Sequence, residues 1–94
     1  MNFKWDPEKN ERLKSERNVC FEDVITLVHE DKVLDIIKHP NKEKYPHQHI
    51  YILRIQGYVH MVPFEKRGDE IWLITVIPSR KMNKIYKGVG DENG

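Results

Sequence analysis

Hydrophobic and polar positions divide the chain into two textures. Up to about residue 30 the apolar residues are sparse or fall at helical spacing; beyond it they alternate in short runs bounded by turn residues. Phe3-Lys4-Trp5 alternates as a short strand, and Asp6-Pro7 then marks a helix start. The aspartate can accept from orphan amides, and proline in the first turn loses no needed N–H. The predicted helix from Pro7 to about Arg17 is polar nearly all round, with Leu13 its one large aliphatic, so its partner is a weak contact or another molecule. Asn18 is placed to end it in a left-handed cap. A second helix, about Phe21 to His29, sets Phe21, Val24, Ile25, Leu27 and Val28 on one buried face, with Glu22 and Asp23 suiting its dipole.

Strands follow. Val33 to Ile37 is the first, closed by His39-Pro40 and a polar loop through Pro46. Gln48 to Ile55 and Tyr58 to Phe64 flank Gln56-Gly57, which reads as a two-residue hairpin turn. After a turn around Gly68, Ile71 to Ile77 is the last strand; Pro78 stops it, Ser79 caps, and a short helix runs from Arg80 to about Lys87. The order β-α-α-β-β-β-β-α predicts an α+β domain, with helices against a four-stranded antiparallel sheet and a short N-terminal strand beside it. The domain is expected over residues 1–87, with 88–94 as a flexible tail.

The Gln56-Gly57 turn also fixes a register. Tyr58 opposes Ile55, His60 opposes Leu53 and Val62 opposes Tyr51; if Gly68-Asp69 is a similar turn, Leu73 opposes Phe64, Thr75 opposes Val62 and Ile77 opposes His60. One face then holds Ile50, Ile52, Val59, Met61, Ile74 and Val76, and is expected to carry the second helix. The other mixes Tyr51, Leu53, Tyr58, His60, Val62, Phe64, Leu73 and Thr75, a composition suited to a ligand or to cover by the C-terminal helix.

Composition narrows the class. The 94 residues make one domain, 38% apolar and 33% charged. No apolar run is long enough to span a bilayer, no signal-peptide pattern opens the chain, and membrane association is not expected. One cysteine, Cys20, excludes an internal disulfide and a multi-thiolate zinc site, and the expected compartment is a reducing cytoplasm. Sixteen basic against fifteen acidic residues leave a net charge of +1, so no overall field draws in nucleic acid. Any polyanion must be met by a local patch.

One such patch exists. Arg80, Lys81, Lys84 and Lys87 lie together without an acid, and Ser79 at the helix start adds a donor for a phosphate. The alternative is a cationic last helix that complements its own dipole or an acidic partner. His47-x-His49 has alternate spacing but no nearby carboxylate or thiol to complete a metal site, so neither a metal nor another cofactor is expected. His60 sits mid-strand on the mixed face, where an imidazole suits proton transfer or a structural hydrogen bond. Cys20 precedes a helix without an identifiable base and reads as a packing or capping residue. Gly-rich phosphate loops, paired-carboxylate motifs and Ser-His-Asp patterns are not recognisable.

Three segments carry a family resemblance. Phe3-Lys4-Trp5-Asp6-Pro7-Glu8-Lys9-Asn10 resembles the F-x-W-D-x-x-K-N opening of the BrnT family, toxins of bacterial type II toxin–antitoxin pairs. Asn18-Val19-Cys20-Phe21-Glu22-Asp23 is similar to its G-[IV]-S-F-E-[ED] segment, and Ile77-Pro78-Ser79-Arg80-Lys81 to its I-S-A-R-R segment. The match spans about residues 3 to 87 in order. The resemblance implies a RelE-like ribonuclease fold, metal-independent cleavage of RNA through the ribose 2′-OH, and neutralisation by a ribbon-helix-helix antitoxin that brings the pair to operator DNA. It carries Lys9 and Arg80 as catalytic residues; His60 as proton carrier comes from the register instead. Lys81, Lys84, Tyr51 and Ser79 complete the expected RNA surface. The chain departs from the family pattern at Trp72, at Arg17-Asn18, around His47 to His49 and at Tyr86.

Overall fold

The computed structural model describes residues 2–89. Its elements are β1 (Asn2–Lys4), α1 (Pro7–Arg17), α2 (Phe21–His29), β2 (Asp35–Lys38), β3 (Gln48–Ile55), β4 (Tyr58–Arg67), β5 (Glu70–Leu73), β6 (Ile77–Pro78) and α3 (Arg80–Ile85). The strands form one sheet in the order β1-β5-β4-β3-β2, with β6 paired to β4. The four expected strands, here β2 to β5, are antiparallel to one another; β1 runs parallel to β5 and the separate β6 pairs with β4, so the sheet of this α+β fold is mixed and has more strands than expected. Residues 90–94, where most of the anticipated tail falls, lie outside the described residues.

Local chemistry sets the element ends. Asp6 accepts from the Glu8 amide at 3.0 Å to start α1, and Asn18 ends it in the left-handed region at φ 56°. Gln56 and Gly57 both have positive φ, 52° and 80°, as a tight hairpin turn with the strands' own twist requires. That turn delivers the expected register: Tyr58 opposes Ile55, His60 opposes Leu53 and Val62 opposes Tyr51. Leu73 opposes Phe64, also as read from the sequence.

Beyond Leu73 the expected single strand breaks. Ile74 donates its amide to the Pro63 carbonyl at 2.9 Å, but proline has no N–H to return. The ladder stops there, and pairing resumes one residue out of step, with Ile77 opposite Met61 and Pro78 opposite His60. Thr75 and Ile77 therefore do not face Val62 and His60. The extra residue behaves as a bulge and turns Val76 to the opposite side from the one expected, where it is fully buried.

The faces are also reversed from expectation. Helices α1 and α2 cover the mixed face, where Leu13, Phe21 and Val24 pack in one core with Tyr51, Leu53, Ile55, Val62, Phe64, Ile71, Leu73 and Val76. The aliphatic face, with Ile50, Ile52 and Val59, is covered by Met82 and Tyr86 of the α3 segment. Connectivity explains this. The two helices join β1 and β2 at opposite edges of the sheet and must cross its whole width, so they need the face with the larger side chains. Helix α3 is short and needs only the smaller patch on β3 and β4.

Candidate nucleic-acid interface

Helix α3 is fastened to the sheet at both ends. Ser79 accepts from the Met82 amide through its hydroxyl at 3.2 Å, while its own amide donates to the Val59 carbonyl at 3.0 Å. Asn83 Oδ1 accepts from the Val59 amide at 3.0 Å. At the far end Arg54 donates from Nη2 to the Tyr86 carbonyl and from Nη1 to the Val89 carbonyl, each at 2.7 Å. The Tyr86 hydroxyl donates to Asp35 at 2.7 Å, a bond to a carboxylate that raises the phenol's pKa above its ordinary value.

With Met82 and Tyr86 turned to the sheet, the cations of this segment stand outward. Arg80, Lys81, Lys84 and Lys87 are all exposed. Every ion pair among the described residues uses other cations: Lys14, Lys32 and Arg67. Arg80, Lys84 and Lys87 follow an i, i+4, i+7 spacing, which sets successive charges along one side as the helix passes into its terminal turn. Such a row fits the phosphates of a strand, each cation being able to displace a counterion on contact.

The other expected site residues lie elsewhere. His60 is 7% exposed and shares the face of Leu53 and Val62, beneath α1 and α2. Its Nδ1 donates to the Tyr58 carbonyl at 2.8 Å. Burial lowers its pKa, the Tyr58 bond opposes that shift, and the positive charge of Arg17 adds to it. Tyr51 is 5% exposed, stacks on Phe64 with ring centroids 4.1 Å apart, and has its hydroxyl pKa pushed up by burial. Both are core side chains on the side of the sheet away from α3. Lys9 is half-buried on α1 and lines a small hollow with Arg12, Leu13, Glu16 and Arg17. The structure thus groups Ser79, Arg80, Lys81 and Lys84 and places Lys9, Tyr51 and His60 apart from them.

Two arginines acquire roles that the sequence reading did not give them. Arg17 reaches the break between β5 and β6, where its guanidinium donates to the Val76 carbonyl at 2.9 Å. Arg54 closes the end of α3. Its signal was legible: on the face of Ile50 and Ile52, the next alternate residue of β3 is an arginine. A charge in that place must find an acceptor.

The two histidines of the His47-x-His49 pair have different surroundings. His47 precedes β3 and is exposed, while His49 stacks on Phe64 at 5.8 Å with its Nδ1 buried and without a hydrogen-bond partner. Among the described residues no three His, Cys, Asp or Glu side chains gather as ligands. Cys20 is partly buried, and burial leads the causes that raise its thiol pKa, which keeps it a thiol rather than a nucleophilic thiolate. No helix among the described residues is long and apolar enough to cross a membrane. Compared with protein-family models, curated proteins and solved structures, the chain matches none.

Proposed function

We propose that the protein is the toxin of a type II toxin–antitoxin pair, a BrnT-type, RelE-like cytoplasmic endoribonuclease that meets RNA through α3. The observation that carries this reading is the row of exposed cations on a helix clamped to the sheet at both ends. Arg80 is the key residue. A guanidinium can hold two phosphate oxygens at once and stabilise the charge that grows as a ribose 2′-OH attacks the adjacent phosphorus. That attack expels the 5′-oxygen of the next nucleotide and leaves a cyclic phosphate. The polar outer surface of α1 is the face proposed for a ribbon-helix-helix antitoxin, through which alone the pair would reach operator DNA.

Induced expression should arrest bacterial growth, and purified protein should cleave RNA in the presence of a chelator. Arg80→Ala is expected to relieve the arrest and to cut the cleavage rate by a hundredfold or so, on the order of the loss of one charge-stabilising donor. A folded Arg80→Ala protein with undiminished cleavage would remove Arg80 from the mechanism.

The burial of His60 and Tyr51 on the side away from Arg80 favours a second reading. In it the domain binds without cleaving and acts only inside a complex with an antitoxin or a transcriptional regulator. RNA that is bound but left intact by the wild-type protein selects this reading.

A further inference from the structure

Between α3 and the β3–β4 turn lies an open cleft of about 400 Å³, lined by Arg54, Gly57, Asn83, Lys84, Lys87 and Gly88. Half of these residues are cations and none is a carboxylate. Arg54 is fixed by its two carbonyl acceptors. Carbonyls carry no net charge, so Arg54 remains a full positive charge, with more N–H donors than the two already used. Asn83 is fixed as well. Its Oδ1 is taken by the Val59 amide, and its amide N–H groups have no acceptor among the described residues. Lys84 and Lys87 stand exposed at the rim.

We infer that this cleft binds a backbone phosphate of a single RNA strand lying along α3 from Arg80, an inference that rests on the RNA reading above. Arg54 and Asn83 act as fixed donors, and Lys84 and Lys87 close on the phosphate from the rim. A row from Arg80 to Lys87 spans about 10 Å at helical rise. That length suits a polyanion better than a single small anion, which would engage one end and leave the rest solvated. The surroundings of Arg54 also favour phosphate on the α3 side. On its other side opens a cleft of about 570 Å³ where Glu30 and Asp31 balance the charges of Lys32 and Arg54, with Lys32 paired to Glu30, whereas the α3 side has cations and no acid.

The test is the salt dependence of binding of a fluorescent oligouridylate to the full chain, read by anisotropy. Lys84→Gln and Lys87→Gln change exposed side chains and leave the clamp of α3 intact. For single strands the slope of log K against log salt is about −0.7 per phosphate neutralised. Each substitution should therefore make the slope shallower by roughly 0.7, and the double variant by roughly 1.4. Lys32→Gln, on the acid-lined side of Arg54, should leave the slope unchanged. Wild-type binding with the same slope in the double variant overturns the subsite and leaves the RNA reading standing. Absence of any salt-sensitive RNA binding by the wild type overturns both.

Discussion

Asn10 shows how a residue that looks like part of a functional signature can be spent on architecture. It is polar, 4% exposed, and sits in the opening segment from Phe3 to Asn10. Its Oδ1 accepts from the Phe21 amide at 2.8 Å and its Nδ2 donates to Glu22 at 2.7 Å, so one side chain ties α1 to the first turn of α2. Its neighbours in the segment do similar work: Trp5 lies against Phe21 with ring centroids 6.0 Å apart, Phe3 lies 6.1 Å from His29, and Asp6 caps α1. The segment therefore informs about the fold more than about chemistry. Asn10→Ala would leave the Phe21 amide without its buried acceptor, at a cost of about 1–3 kcal/mol. Urea unfolding should show that loss as a lower midpoint at unchanged slope, and an unchanged midpoint would mean that water replaces the side chain.

At the scale of elements, helices and hairpins were legible because their signals are local. Asp6, Asn18, Gln56-Gly57 and Ser79 each act on backbone within a few residues, and each does in the structure what its type predicts. The faces were not legible, because the choice of covering helix depends on how the chain crosses the sheet. The break after Leu73 was written in the sequence as Pro63, but its effect depends on whether the missing N–H points toward β3 or β5. The same distance hides the end of α3, whose anchor, Arg54, comes from a different strand. Helix α3 is short, so its stability rests on these tethers more than on propensity. Tyr86→Phe removes the bond to Asp35, worth about 1 kcal/mol at an exposed position. Amide exchange at Asn83 and Tyr86 should then speed up roughly fivefold, with central β3 and β4 amides unchanged. Equal acceleration throughout would show that α3 opens only when the whole domain does.

Over the whole molecule, near-neutral charge and an uneven burial of histidine set how stability responds to acid. His60 is held neutral in the core by burial and by Arg17, so its folded pKa lies below the ordinary value, near 6.5, that it regains on unfolding. Between those two values the unfolded chain binds a proton that the folded chain refuses. Stability from this group is therefore complete above about pH 7 and declines as the pH falls below about 6.5. For one proton the slope cannot exceed about 1.4 kcal/mol per pH unit. Glu22, whose pKa is lowered chiefly by the Asn10 hydrogen bond, acts in the same direction but in a lower window, from about pH 4.5 downward. The two windows can be separated by urea midpoints between pH 8 and pH 4. His60→Gln keeps an amide donor for the Tyr58 carbonyl and removes the titration. It should flatten the decline near pH 6 and leave the acid limb in place. If the decline near pH 6 survives in that variant, it does not come from His60.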